Sequence, residues 1–397
     1  MKARSSLGRI ALAGAAVALM GVAYGVSRAR KRAAQLARRA QDPTHKPEIC
    51  LLSVADSVPG QGVGSAYVEH LNLLRTLGAQ DFTVRVNEGA STADVVHLVS
   101  IDPVSYLRMR FTQRPTIASA HFVPDTFNGT IRLPWPINKL FMGYVLHLYR
   151  SADYVHTVHP STVGTLAKLG VDPTRVFCVP NVISAEGFRP LPQDEREALR
   201  ERWGLPKDAF VAIGSGQVQL RKGVKTFAEV ARALPDMHFV WAGGFSFGPL
   251  TEGYEELKQL VENPPANLHF VGIIPREEMN GLLNASDLFF LPSYGEQFSM
   301  SILEGAFAGL PVLLLNTDEA MYEEVYGDAV LRGGSVEDFV GTIERLRDDP
   351  DFYALCARRA RGLVERYGSE RLYARWKEIY ERALKHEALP EGAGATA

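Results

Sequence analysis

Two glutamates eight residues apart, Glu296 and Glu304, lie within PSYGEQFSMSILEGAFAGLPVLLLN, residues 292–316. Glu296 follows DLFFLPS, an apolar run that reads as a buried strand, and Glu304 falls low in the helical pattern that comes next. A carboxylate at a strand tip is placed to meet a sugar, and one in the young helix can accept both hydroxyls of a ribose diol. The amides of Phe298, Ser299 and Met300 head that helix, where free N–H groups and the dipole favour phosphate oxygens. Gly309 and Pro311 end the helix and launch another strand. This order of parts suits the holding of a phosphorylated sugar. The plainer alternative is an exposed loop acid followed by a helix-start charge.

A second constellation lies in GSGQVQLRKGVKTF, residues 214–227. Gly214 and Gly216 free the backbone after a strand, and Arg221 and Lys222 stand at the mouth of the next helix. Two fixed cations beside a helix N-terminus suit a diphosphate; an exposed basic turn is the competing reading. Earlier, in VPGQGVGSAYVEHL, Gly60, Gly62 and Gly64 precede a helix, so backbone N–H groups can approach an anionic or sugar ligand. Their spacing is not the dinucleotide fingerprint GxGxxG, and a tight turn alone would also account for them.

Strands and helices must carry these residues. ICLLSV, FTVRVN, VVHLVS, PTIASAHF, YVHTVH and RVFCVPN read as short strands in the first half of the chain. FVAIGSG, HFVWAGG, LHFVGI, DLFFLPS, PVLLLN and AVLRG repeat the pattern in the second, with helical stretches such as SAYVEHLNLLRTLG and GVKTFAEVARAL between strands. Such alternation predicts an α/β fold with parallel sheets, in two doubly wound Rossmann-like domains with a cleft between them. Polar, proline-bearing NVISAEGFRPLPQDEREALRERWGLPKD marks the break. The expected division is a membrane segment and basic linker at 1–43, domains at 44–185 and 186–365, a closing helix at 366–388 and a disordered tail at 389–397.

Length and composition agree with two globular domains: 397 residues, 46% apolar and 22% charged. A formal net charge of -2 gives no case for nucleic acid as a partner. Cys50, Cys178 and Cys356 are far apart and odd in number, which reads as small core residues in a reducing compartment.

With these motifs in place, the chain from about Pro47 to Leu384 resembles the family 4 glycosyltransferases, retaining enzymes of the GT-B fold. Glu296 and Glu304 match the family's E-x7-E motif, Gly62 to Gly64 its glycine-rich loop and Lys222 its phosphate-binding lysine, and PNVISAEGFRP looks like its crossover between domains. The resemblance implies that Glu296 contacts sugar hydroxyls beside the anomeric carbon and that Glu304 binds the nucleotide ribose. It implies that His121, in IASAHFVPDTFNGTIRLP, approaches the transferred sugar, and that no metal is needed. Two departures stand out: Gln217 replaces a common arginine, and EQFSM replaces a glycine-rich E-G-F-G, narrowing the donor-sugar space.

HFVPDTFNGTIRLP, GQVQLRKGV and the Glu296–Glu304 segment are most similar to bacterial enzymes that glycosylate diacylglycerol or a glycosyl-diacylglycerol. The partners implied are a nucleotide-sugar, with UDP-glucose or UDP-galactose foremost, a lipid acceptor and a membrane surface. Asp125, Trp135, Lys139 and Phe141 are the candidate acceptor and membrane residues; residues 132–150 mix aromatic and basic side chains, as an interfacial segment or a core helix with a charged edge would. Residues 10–26 form an uncharged run with its heavier basic flank behind it, which favours an uncleaved anchor and a body on the cytoplasmic face of the membrane. A cleaved leader and an interfacial helix are the alternatives. The NGT at Asn128 reads as a turn in such a compartment. Two rival functions remain open: transfer to a polysaccharide or isoprenoid-linked acceptor, and a non-catalytic nucleotide-sugar-binding subunit.

Overall fold

A computed structural model describes residues 42, 45–55, 60, 62–123, 135–296, 298–317 and 320–395, with backbone alone at 135 and 320–322. The β-branched and aromatic runs become twelve strands among the described residues. They are β1 (Glu48–Leu52), β2 (Thr83–Val86), β3 (Val95–Leu98), β4 (Thr116–Ser119), β5 (Tyr154–Thr157) and β6 (Val176–Cys178), then β7 (Val211–Ser215), β8 (His238–Ala242), β9 (Leu268–Gly272), β10 (Leu288–Leu291), β11 (Val312–Leu315) and β12 (Leu331–Gly333).

The strands pair in parallel into two six-stranded sheets, ordered β2-β1-β3-β4-β5-β6 and β12-β11-β10-β7-β8-β9. Central strands such as β1, β3, β4 and β10 are buried along their whole length, as strands covered by helices on both faces must be. In each sheet the first strand of the domain is flanked on both sides, β1 by β2 and β3, β7 by β8 and β10. Winding reverses there, leaving a crevice beyond the carboxyl ends of the strands where ligands gather. The Rossmann-like pair inferred from the alternation is therefore the observed architecture.

The chain does not finish in its second half. A helix over Pro350–Tyr367 packs on the second sheet's helices, Gly368 breaks it, and a last helix over Ser369–Lys385 returns to the first domain. There Lys377 Nζ meets Asp81 at 2.6 Å, and Trp376 and Tyr380 are fully enclosed. One apolar core thus runs from the first sheet, through this helix, into the second domain, while a smaller cluster fills the first sheet's other face. The expectation of a disordered tail fails for the described residues 389–395. The Cys178 N–H donates to the Ala393 carbonyl at 2.8 Å, and Ala393 is buried. The physical reason is that β6 is an edge strand whose amide needs an acceptor, and small residues let the tail lie close enough to supply one.

The three cysteines are free and buried. Among the described residues no helix is long and apolar enough to cross a membrane; the uncharged run at residues 10–26, Asp125 and Asn128 all lie outside them.

Candidate functional site

The two switch-point crevices face each other across a cleft of about 630 Å³. From the first domain it is lined by Gly60, Gly62, Ser65, His121 and Asn181, and from the second by Gln217, Arg221, Lys222, Arg276, Glu296 and Glu304. Residues far apart in sequence meet there because each follows the carboxyl end of a strand or heads the next helix.

Arg221 and Lys222 sit in a single turn over Leu220–Lys222, closed by Gly223 at φ +71°. A side chain at Gly223 would put its Cβ 1.9 Å from the Pro292 carbonyl oxygen, so only glycine lets this turn press against the exit of β10. The contact is sewn by the Tyr294 N–H, which donates to the Arg221 carbonyl, with the Ser293 Oγ 3.1 Å from the same oxygen. It delivers the two cations to the carboxylate at the tip of the neighbouring strand. Lys222 Nζ lies 2.6 Å from Glu296 Oε1, Ser293 Oγ donates to the same oxygen at 2.7 Å, and Arg221 Nη1 is 3.6 Å away. Arg221 also donates to the Gly295 carbonyl.

Burial pushes the Glu296 carboxyl up, but the charges of Lys222 and Arg221 and the bonds from Lys222 and Ser293 outweigh it, leaving its pKa below the usual value. Burial draws the Lys222 ammonium down, with Arg221 adding to the effect and Glu296 opposing it. The carboxylate's direction is the one the geometry demands, since donors converge on it from two sides. The cluster holds two cations and one anion, a net positive charge in an enclosed wall, and so an appropriate place for phosphate oxygens.

Glu304 is buried in the helix over Met300–Phe307, and Ser299 stands at that helix's N-cap with its hydroxyl 3.1 Å from that of Ser301. Met300 and Ser299 do head the helix. Phe298 does not: its carbonyl accepts from Asn181 Nδ2 at 3.0 Å and its ring packs against Tyr367, so its place is in the wall. Glu304 Oε1 accepts from Arg276 Nη1 at 2.6 Å, and the rest of that guanidinium faces Glu69 across the cleft. Arg276 and Glu69 were not among the sequence candidates. A basic residue directly after β9, in GIIPREEM, was the available signal for the first. An acid inside an apolar helix, YVEHLNLL, was the signal for the second.

From the first domain, His121 follows β4 and lines the cleft, half-buried. Desolvation lowers its pKa to about 4, so at neutral pH it is an uncharged hydrogen-bonding group. Gly62 begins the helix over Gly62–Thr76 and is open to the cleft; Gly64, two residues on, is buried and lies outside the lining. Gln217 lines the second-domain wall, its amide oxygen taken by Gln219 Nε2 at 2.6 Å.

Two of the candidate acceptor residues, Lys139 and Phe141, lie elsewhere. Trp135, Lys139 and Phe141 belong to the helix over Trp135–Ser151; Lys139 is exposed and Phe141 half-buried, and neither side chain lines the cleft. In this helix Val145, Leu148 and Tyr149 are core, while Ile137 and Leu140 are exposed.

Comparison with known proteins follows the same two-part division. Residues 195–363 match the family described as Glycosyl transferases group 1, and residues 29–186 match Glycosyltransferase Family 4. The chain is 35% identical over 339 residues to alpha-galactosylglucosyldiacylglycerol synthase of Streptococcus pneumoniae, covering 85% of this chain and 90% of that one. It is 25% identical over 287 residues to a processive diacylglycerol alpha-glucosyltransferase of Acholeplasma laidlawii, covering 72% and 83%. Among solved structures, Anabaena HepE in complex with UDP-glucose aligns with a TM-score of 0.67 at 17% identity, over 84% of this chain and 99% of that one. Sucrose-phosphate synthase from Thermosynechococcus elongatus aligns at 0.69 and 16%, over 86% and 100%.

Proposed function

This chain belongs to the family 4 glycosyltransferases of GT-B fold, and from that premise we propose that it moves a hexose, with retention, from a UDP-sugar to diacylglycerol or a glycosyl-diacylglycerol. The observation that carries the reading is the convergence of Lys222, Arg221, Glu296, Glu304 and His121 on one cleft. Names of the two curated relatives support the lipid acceptor, and the UDP-glucose complex of HepE supports the donor.

The residues divide the work by position. Glu304, one turn into the helix, takes the ribose hydroxyls, and the Ser299 and Met300 amides meet phosphate. Arg221 and Lys222 offset the charge that grows on the departing diphosphate, with no metal invoked. Glu296 and the neutral His121 hold the sugar from opposite sides of the cleft. The acceptor hydroxyl then attacks from the face the phosphate leaves, and a phosphate oxygen takes its proton. The bond from anomeric carbon to phosphate oxygen breaks as the one to the acceptor oxygen forms, and UDP departs.

An apolar surface on the first domain favours a membrane-borne acceptor. Val104, Leu107 and Phe111, at helical spacing, are 61%, 50% and 76% exposed, and Arg108 and Arg110 stand beside them. The helix over Pro103–Arg110 lies next to the one bearing Ile137 and Leu140, with the Tyr106 and Tyr144 rings 5.7 Å apart. Apolar side chains among arginines suit the boundary of an anionic bilayer.

Thin-layer separation of lipids tests the proposal. The protein is incubated with labelled UDP-glucose or UDP-galactose and with vesicles holding diacylglycerol or its monoglucoside. Label is expected in chloroform-extractable, base-labile glycolipid. Label confined to polysaccharide or isoprenoid products would overturn the acceptor, and UDP binding without transfer to any of these lipids would overturn the catalytic reading.

A further inference from the structure

We propose that Glu69 sets the affinity for the nucleotide-sugar through Arg276 while never touching the ligand, an inference that rests on the donor site described above. Arg276 opens the helix over Arg276–Asn284 just beyond β9 and is shared between two carboxylates from different domains. Its Nη1 donates to Glu304 Oε1 at 2.6 Å; its Nη2 and Nε donate to Glu69 Oε1 at 2.8 and 3.2 Å. Glu69 is in turn fixed by the Ser184 N–H, which donates to its Oε2 at 3.2 Å, and the Phe188 ring supports the guanidinium from 4.9 Å.

A guanidinium fork fits one carboxylate through two parallel N–H bonds, and that is its strongest arrangement. Here Glu69 claims two of the N–H groups, so Glu304 receives one and keeps Oε2 for another partner. Both carboxylates are nearly enclosed, with side chains 7% and 6% exposed, so neither readily exchanges Arg276 for water. Remove the charge on Glu69, and the fork turns to grip Glu304 through both oxygens. A ribose diol would then have to displace a charge-assisted bond before it could bind. Glu69 therefore holds Arg276 half away, and the ribose-binding carboxylate stays available because of an acid on the opposite domain.

Calorimetric titration of the full chain with UDP provides the test, alongside donor KM and kcat. Glu69→Gln is expected to bind UDP about tenfold more weakly, the loss of one charge-assisted hydrogen bond, with donor KM raised and kcat retained. Adding Arg276→Gln to that variant removes the competing fork, so affinity should fall no further and should partly recover. If Glu69→Gln does not fold, Glu69→Asp carries the test, with a several-fold loss expected from a carboxylate one methylene short. Wild-type binding with an unaffected Glu69 variant, or a further loss of affinity when Arg276→Gln is added to it, overturns the inference alone. A wild-type chain that binds no UDP overturns the donor reading and the inference together.

Discussion

Glu296→Ala is expected to lower kcat for the proposed hexose transfer by roughly 10²- to 10³-fold, the range seen when one preorganised polar contact to a reacting centre is removed. UDP affinity is expected to hold or rise in the same variant, because Lys222 and Arg221 no longer divide their charge between Glu296 and a diphosphate. Loss of folding would move both quantities together, so their opposite movement separates a catalytic role from a structural one. The substitution also strands a buried ammonium, since Lys222 Nζ has Glu296 Oε1 2.6 Å away as its carboxylate partner. Breaking one side of a buried pair costs about 3–5 kcal/mol, of which the cleft's openness returns a part. Glu296→Gln, which keeps an acceptor for Lys222 and the Ser293 hydroxyl, should fold like the wild type and remain defective in turnover. Turnover near normal in either variant would remove Glu296 from the mechanism.

A loss of stability that sets in below about pH 6.5, before ordinary carboxylates titrate, is the second large effect expected. A buried hydrogen-bonded chain joins three histidines of the first domain to the last helix. His156 Nε2 lies 2.8 Å from the Val179 carbonyl, which can only accept, so the proton sits on Nε2 and Nδ1 is bare. The Ser119 hydroxyl then donates to His156 Nδ1 at 2.9 Å and accepts from His97 Nε2 at 2.8 Å. Tyr380 OH donates to His97 Nδ1 at 2.7 Å and accepts from His70 Nε2 at 2.9 Å, leaving His70 Nδ1 buried with no hydrogen-bond partner among the described residues. Every imidazole is neutral in this arrangement, and a proton added to His97 or His156 would set two donors against each other.

Desolvation lowers His70 to about 3 and, with neighbouring imidazoles, takes His97 and His156 well below their ordinary value. Because the unfolded chain binds these protons first, the stability they contribute is complete above about pH 6.5 and is lost as pH falls toward the native values. Three groups lose roughly 4 kcal/mol per pH unit in that window, against a total stability of about 5–15 kcal/mol. Calorimetry in buffers of different ionisation enthalpy should find about three or more protons taken up on unfolding at pH 5. An uptake of one or fewer would mean that the histidines are charged in the native protein.

The strands were legible because a parallel strand covered on both faces must be apolar along its length, and runs such as VVHL and LFFL leave little choice. That Glu296, Glu304 and Lys222 would line one cleft was legible because residues that follow strand ends gather at the crevice of such sheets, while His121 was singled out through the family resemblance. What escaped needed three dimensions. Arg276 and Glu69 are 207 positions apart and acquire meaning only when the domains face each other. Tyr380 joins His97 across 283 positions, and no local pattern in either segment announces the pairing. Phe298 sat at the right position in the chain for a helix head, yet its ring found Tyr367 and its carbonyl found Asn181. The tail was misread because composition reports what a segment can bury and says nothing of an edge amide that wants an acceptor.

That two sheets clasp one activated sugar is best tested by equilibrium binding of UDP and of UDP-hexose to the wild type, Lys222→Ala and His121→Ala. The account predicts that Lys222→Ala weakens both ligands at least about tenfold, while His121→Ala weakens UDP-hexose and leaves UDP unchanged, because only the sugar reaches the first domain. UDP-hexose affinities equal across all three proteins would contradict it.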